Sequence, residues 1–341
     1  MSKTPTVPQG VTTRFHGRPE VSVVVPVLNE QEVVALTFER LSGVLNDCCT
    51  SYEIVFVDDG SSDNTLDILE DLAASEPAVA LVALSRNFGK ELALTAGLDH
   101  ASGDAVIVID ADLQDPPECI AQMLEQWRLG YDMVTMRRRR RDGETLFKRL
   151  SAWGYYRLLG AISDIDIPSQ TGDFRLLSRR AVDALAKLGE TQRYMKGLFA
   201  WIGFPQTELL YDRDARAAGK TKWNYLKLWR LAIEGITSFS TAPLRLASYI
   251  GFLSAAGAFA FGFVVLIRTI VLGEPVSGYP TTILVILLLG GVQLMAIGIL
   301  GEYVGRMYIE NKRRPAYLVQ AHRQARLPAQ ASSQRQERQA T

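Results

Sequence analysis

The sequence predicts a doubly wound, mainly parallel α/β domain followed by a two-helix transmembrane hairpin. Three observations carry this. Short β-branched runs alternate with stretches of helical character up to Met136, acidic or polar signatures close several of those runs, and two long uncharged segments lie in the last third of the chain. Strands alternating with helices imply right-handed βαβ units and a parallel sheet.

Taken in order, Val21–Pro26 reads as a first strand, leading through Val27-Leu-Asn-Glu30 into a helix to about Asn46. Glu53–Val57 is a second buried strand that ends in Asp58-Asp59-Gly60-Ser61-Ser62-Asp63, and a helix over Leu66–Ala74 follows, with Ser62 or Asp63 as cap. Val79–Leu84 is the third strand, and Arg86-Asn-Phe-Gly-Lys-Glu91 opens a helix to His100. The fourth, Val106–Ile109, runs into Asp110-Ala-Asp112, after which Pro116 and Pro117 forbid further pairing. A helix near Ile120–Leu129 and a fifth strand, Met133–Met136, complete the alternation. No Gly-x-Gly-x-x-Gly follows the first strand, so the usual dinucleotide fold is not expected.

Beyond Met136 the pattern changes. Five arginines, Arg137–Arg141, precede a helical segment at Lys148–Leu159; Thr171–Leu176 reads as a turn into a strand, and Arg216–Lys222 as a basic loop. From Asn224, Tyr225, Leu228, Trp229, Ala232, Ile236 and Phe239 share one helical face opposite Lys227, Arg230 and Glu234, the pattern of a helix lying in a membrane interface. Leu246–Ile267 and Thr281–Gly301 are each uncharged and each reach the roughly 20 residues that span a bilayer. Basic residues precede the first span (Lys220, Lys222, Lys227, Arg230, Arg245) and follow the second (Arg306, Lys312, Arg313, Arg314), with only Arg268 between them. The positive-inside rule therefore places the α/β domain and both termini in the cytoplasm.

The chain thus divides into a flexible leader (1–19), an α/β domain (20–222), a juxtamembrane amphipathic segment (223–245), the hairpin (246–305) and a basic tail (306–341) expected to be disordered after about Val319. A formal net charge of zero argues against a nucleic-acid partner. Three cysteines, Cys48, Cys49 and Cys119, form neither a disulfide framework nor a zinc site. The N-terminus has no apolar h-region, so no cleavable signal peptide is expected.

Two carboxylates one residue apart at the carboxyl end of a strand stand where open α/β sheets bind ligands. Their hard oxygens suit Mg²⁺ or Mn²⁺ held together with substrate phosphates. Taken alone, an Asp-x-Asp is as readily a solvated turn. Together with Val25-Pro-Val-Leu-Asn-Glu30 and Phe56-Val-Asp-Asp-Gly-Ser-Ser-Asp63, Asp110-Ala-Asp-Leu-Gln-Asp-Pro-Pro-Glu118 resembles the nucleotide-sugar motifs of family 2 glycosyltransferases with the GT-A fold. Arg86-Asn-Phe-Gly-Lys-Glu91, Gly172-Asp-Phe-Arg175 and the ending Leu300-Gly-Glu-Tyr-Val-Gly-Arg306 resemble a narrower group, the polyprenyl-phosphate glycosyltransferases, bactoprenol glucosyltransferases in particular, with dolichol-phosphate mannose synthases more distant. The resemblance spans about residues 20–319.

That resemblance implies transfer of a hexose, with inversion, from a nucleoside diphosphate donor to polyprenyl phosphate at the cytoplasmic face of a bacterial plasma membrane. Glucose from UDP-glucose is the first expectation; mannose, galactose, an aminosugar and formamido-aminoarabinose stay open, as does a non-catalytic scaffold that binds nucleotide sugars. It implies donor contacts at Pro26, Asn29, Glu30, Asp58, Asp59, Arg86, Gly89 and Asp110, and a Mg²⁺ or Mn²⁺ ion held by Asp110, Asp112 and Gln114. Asp112 and Asp173 are the catalytic candidates; Asp173 could position the acceptor or act as base, and the residues do not separate these roles. Cationic clamps for the acceptor phosphate are sought among Arg137, Arg139, Arg175, Arg216, Lys220 and Lys222, because an anionic lipid phosphate needs a counter-charge more than a base. The family pattern also implies a homo-oligomer, as large as a tetramer. A processive polysaccharide synthase would carry Gln-x-x-Arg-Trp and more spans, and this sequence has neither.

Overall fold

A computed structural model describes residues 18–139, 171–191, 193–212, 242–272 and 278–326. They fall into two units: an α/β unit that includes residues 315–326, and a helical unit from residue 242 to 314. The predicted helix at 148–159, the basic loop at 216–222 and the amphipathic helix after Asn224 lie outside the described residues.

The α/β unit is built on an eight-stranded sheet: β1 (Val21–Val27), β2 (Tyr52–Asp58), β3 (Val79–Leu84), β4 (Ala105–Val108), β5 (Met133–Arg138), β6 (Thr171–Ser178), β7 (Gln206–Tyr211) and β8 (Val319–Arg323). Their order is β7-β5-β6-β4-β1-β2-β3-β8. β1 pairs in parallel with β2 and β4, β2 with β3, and β5 with β7. β6 runs antiparallel between β4 and β5, and β8 antiparallel to β3. The sheet is therefore mixed but mainly parallel, as the alternating pattern predicts.

The central strands are apolar on both faces, and every residue from Val21 to Val25 is buried. Helices cover both faces of such a sheet: α1 (Val34–Cys48), α2 (Thr65–Ser75), α3 (Lys90–His100), α4 (Ile120–Arg128), α5 (Arg179–Ala186) and α6 (Met195–Trp201). α5 starts at Ser178, whose hydroxyl accepts the Ala181 N–H and so satisfies an otherwise orphaned donor of the first turn. α3 lies close on β1, since a Cβ at Gly97 would stand 2.2 Å from Val24 Cγ1.

One feature corrects the expectation for the tail. Val319–Arg323 is ordered as β8, and Tyr317 donates its hydroxyl to Asp99 at 2.8 Å. The Gln-, Ala- and Arg-rich composition hides a strand whose backbone finds the open edge of β3.

The helical unit consists of α7 (Ala242–Leu272) and α8 (Tyr279–Asn311), packed against each other as a hairpin. Phe252 and Phe259 on α7 are 73% and 79% exposed, and Leu294 on α8 is 71% exposed. Helices this long that turn large apolar side chains outward suit lipid as solvent rather than water.

Candidate active site

The order β3-β2-β1-β4 reverses direction at β1, whose neighbours on the two sides are β2 and β4. In open α/β sheets such a switch opens a crevice beyond the carboxyl ends of the strands. The sequence motifs converge there. Asn29 and Glu30 follow β1, Asp58 ends β2, Arg86 to Gly89 follow β3, and Asp110 and Asp112 follow β4. Because β6 is antiparallel and pairs Arg175 with Val108, its opening residues Gly172 and Asp173 reach the same edge.

The β1 and β2 ends are tied together by polar contacts. Asn29, at φ 56, donates its N–H to Ser61 Oγ at 3.0 Å and accepts the Ser62 N–H at 2.8 Å. The Glu30 N–H donates to Thr65 Oγ1 at 2.9 Å. Pro26 is half-buried within β1, in register with Val57. Gly60 takes a left-handed φ of 69, and a Cβ there would lie 2.5 Å from the Arg86 carbonyl carbon. Glycine at this turn thus lets the 86–87 backbone cross directly over it.

Asp58 and Asp59 are separated in role by this geometry. Asp59 accepts the N–H groups of Phe88 and Gly89 at 2.7 and 2.9 Å, so both oxygens hold the loop after β3. Burial pushes its carboxyl up, against those two backbone donors. Asp58 is 1% exposed, and while Oδ2 accepts the Ser61 N–H at 3.2 Å, the buried Oδ1 has no partner among the described residues. A buried acceptor left unpaired calls for a donor from a ligand. Arg86 stacks its guanidinium 4.0 Å over the Phe88 ring beside this point.

At the β4 end, Asp112 Oδ1 accepts the Gln114 N–H at 3.2 Å, closing a turn in which Leu113 has φ 54. The Asp110 carboxylate meets Lys90 Nζ at 2.6 Å, and the same ammonium contacts Asp173 Oδ2 at 2.6 Å. Although burial works against its charge, these two carboxylates raise the Lys90 ammonium above its usual range. Burial would raise Asp173 too, but Lys90, Lys196 and Arg175 hold it well below the usual carboxylate range. Glu91, beside it, behaves oppositely: burial and the Asp173 charge push its carboxyl up to about 7, while Oε2 accepts the Met195 N–H at 3.1 Å. Lys90, Glu91 and Lys196 were not singled out as site residues by the sequence. Lys90 and Glu91 stand within the Arg86–Glu91 motif, and their place at the first turn of a helix opening toward the acidic turn was the available signal.

The arginines are sorted by strand alternation. Arg137 in β5 and Arg139 just after it pair with Glu208 at 3.2 Å and Asp212 at 3.5 Å. Arg138 points the other way: Nε donates to the Tyr211 hydroxyl at 3.2 Å, and a Cβ on Gly172 would lie 3.6 Å from its Nη2. Burial opposes its charge, and Tyr211, Asp115 and Asp110 restore it. Where the sequence suggested Arg137 and Arg139, the structure puts Arg138 among the carboxylates.

Arg175, expected as a cationic clamp for the acceptor phosphate, is a buried residue. It is 4% exposed, with its guanidinium 3.9 Å over the Phe199 ring and Nη2 donating to the Gly172 carbonyl at 2.9 Å. Burial pulls it down to about 10. Its bond to the Gly172 carbonyl ties it to the turn that carries Asp173. Between Thr135↔Arg175 and Arg137↔Thr171 the register slips, so β6 spends more residues than β5 and bulges at Gly172–Phe174. Such bulges re-aim side chains beside active sites. Arg216, Lys220 and Lys222 lie outside the described residues.

Among the described residues no group of three or more His, Cys, Asp and Glu side chains forms a metal cage. Asp110 and Asp112 nevertheless fit a hard cation that takes one or two carboxylates and completes its shell with substrate phosphate.

Two family models match the chain: Glycosyl transferase family 2 over residues 22–186, and GtrB C-terminal hairpin over residues 242–307. The bactoprenol glucosyl transferase of Shigella phage SfV is 48% identical over 305 residues, covering 89% of this chain and 99% of that protein. A prophage bactoprenol glucosyl transferase homolog of Escherichia coli is 46% identical over 300 residues, covering 88% and 98%. An uncharacterized glycosyltransferase of Synechocystis sp. is 49% identical over 300 residues, covering 88% and 94%.

Proposed function

This chain belongs to glycosyltransferase family 2, and from that premise we propose that it transfers a hexose from a UDP-sugar to polyprenyl phosphate at a membrane. Glucose is the favoured sugar, because the named relatives of similar length are glucosyl transferases. The observation that carries the reading is the convergence of two kinds of site on one sheet edge. An unpaired buried acceptor, Asp58 Oδ1, and the Asp110–Asp112 pair suit a nucleoside diphosphate; Lys90, Arg138 and Lys196 beside Asp173 suit a second anion.

On the donor side, Asp58 accepts the imide N–H of uracil, and Arg86 with Phe88 offers a surface for the base. Asp110, Asp112 and Gln114 would hold Mg²⁺ or Mn²⁺, which when bound neutralises charge growing on the departing diphosphate. Lys90 lies between Asp110 and Asp173, where its ammonium is placed to meet phosphate.

On the acceptor side, a lipid phosphate oxygen attacks the anomeric carbon in line. The bond from that carbon to the UDP oxygen breaks as the new one forms, so the configuration inverts and UDP leaves with the electron pair. The acceptor is already anionic, so no proton need be removed. A general base works best with a pKa near the working pH, and Asp173 is held far below it. Asp173 holds the Lys90 ammonium at 2.6 Å and so positions it for the acceptor. The α7–α8 hairpin anchors the enzyme in the bilayer that holds the prenyl tail, with the catalytic unit cytoplasmic by the distribution of basic residues.

The test is transfer by the purified full chain in detergent with undecaprenyl phosphate, Mg²⁺ or Mn²⁺, and a panel of radiolabelled UDP-sugars. Label entering the organic phase from UDP-glucose is expected. Label from another UDP-sugar alone would replace glucose, and no transfer from any donor would refute the proposed reaction.

A further inference from the structure

We propose that Tyr211 is a positioning residue for the acceptor, acting through Arg138 and anchored by Asp115. The inference rests on the reading of Arg138 as a phosphate-binding cation. Asp115 is 1% exposed, follows the turn that carries Asp110 and Asp112, and accepts a hydrogen bond from the Tyr211 hydroxyl. The same hydroxyl oxygen accepts from Arg138 Nε at 3.2 Å. A guanidinium only donates and a carboxylate only accepts, so the hydroxyl between them has a single orientation that satisfies both.

The consequence for Arg138 is geometric. With Nε committed to Tyr211, its Nη2 is turned toward Gly172, next to Asp173. A guanidinium fork fixed in advance loses less freedom when it grips a phosphate. Tyr211 itself is held. It closes β7, its carbonyl accepts the Arg139 N–H at 2.9 Å, and its ring stands edge-on to Phe174 with centroids 6.1 Å apart. Phe174 lies in the bulge between Asp173 and Arg175. One hydroxyl thus connects the carboxylate turn of the donor side with the cation of the acceptor side, across 96 residues of sequence.

Tyr211→Phe keeps the ring and its packing and removes the tether. The experiment measures binding of undecaprenyl phosphate, by ³¹P NMR in detergent, and of UDP, by calorimetry, for four proteins: the wild type, Tyr211→Phe, Arg138→Lys and the double variant. Tyr211→Phe is expected to weaken the lipid phosphate about tenfold, the order of one charge-assisted hydrogen bond, with UDP affinity kept. If Tyr211 acts through Arg138, the double variant binds no more weakly than Arg138→Lys alone, because coupled residues are not additive. Losses that multiply in the double variant would overturn the proposal, as would unchanged lipid-phosphate affinity in Tyr211→Phe. Equal weakening of both ligands together with a lowered Tm would show a purely structural tyrosine, and also overturn it. Should the buried Asp115 charge prevent Tyr211→Phe from folding, Tyr211→Phe with Asp115→Asn removes that charge and is read in the same way. A wild type that binds UDP but no polyprenyl phosphate would refute the proposed acceptor, and this inference with it.

Discussion

Replacing Glu91 by Gln should stabilise the α/β unit at alkaline pH and do little at acid pH. In the folded chain, burial and the Asp173 charge push Glu91 from its ordinary 4.5 up to about 7. Below pH 4.5 the carboxyl is protonated in both folded and unfolded states and costs nothing. Between 4.5 and 7 the unfolded chain has released the proton while the folded chain keeps it, so stability falls as pH rises. Above 7 the penalty is complete. At 1.36 kcal/mol per pH unit, the interval corresponds to about 3 kcal/mol at most. Gln keeps an oxygen to accept the Met195 N–H and has no charge to bury.

Asp173 does not confuse the comparison, since its pKa is depressed. The stability it contributes is present above its ordinary 3.8 and is lost only as pH falls through the lower folded value. The assay is thermal unfolding followed by intrinsic fluorescence, in metal- and nucleotide-free detergent buffer, from pH 5 to pH 8. The advantage of Glu91→Gln over wild type should grow across this range by roughly 2 kcal/mol, or on the order of 5 °C in Tm for a unit of this size. A gap that stays constant, or that narrows as pH rises, would refute the reasoning that Glu91 is buried at the expense of its charge.

Three further outcomes follow from named contacts. Asp58→Asn replaces the orphaned Oδ1 with a mixed donor and acceptor group, and UDP affinity by calorimetry should fall about tenfold or more with Tm little changed. Gly60→Ala meets backbone at 2.5 Å at a left-handed φ, so it should lower Tm and cost roughly 1–3 kcal/mol, with the displaced 86–87 segment weakening UDP as well; full stability would show that the turn relaxes freely. Asp112→Ala should leave folding and membrane extraction unchanged while abolishing the effect of Mn²⁺ on UDP affinity, an effect that chelation should equally remove from the wild type.

Much of this chain could be read locally. Val21–Val25 and Ile54–Val57 are buried strands because apolar, largely β-branched runs of that length, ended by Pro26 and Asp58, leave few other choices, and Val79–Leu84 is a third apolar run of strand length. The Asp110–Asp112 turn and the long apolar helices were equally visible, since a strand end beside two prolines and a span of lipid-compatible residues are properties of contiguous sequence. A motif could therefore mark the sheet edge where the site lies. It could not say which side chains meet there.

That was decided by strand order. A run of identical arginines does not say which of them face the site; the pairing of β5 between β6 and β7 turns Arg138 toward the carboxylates and Arg137 and Arg139 toward Glu208 and Asp212. The charge of Arg175 is legible in the sequence and its burial is not; pairing with Val108 and Thr135 encloses it. Val319–Arg323 became a strand because β3 offered an unpaired edge. Lys90 joins Asp110 to Asp173, and Tyr211 joins Asp115 to Arg138, over separations that no local period encodes. Periodicity and turn chemistry act over a few residues, so the sequence by itself determined the elements and the type of chemistry at their ends. Long-range pairing acts between elements, so only the tertiary structure decided which charges share the site and which are spent holding it together.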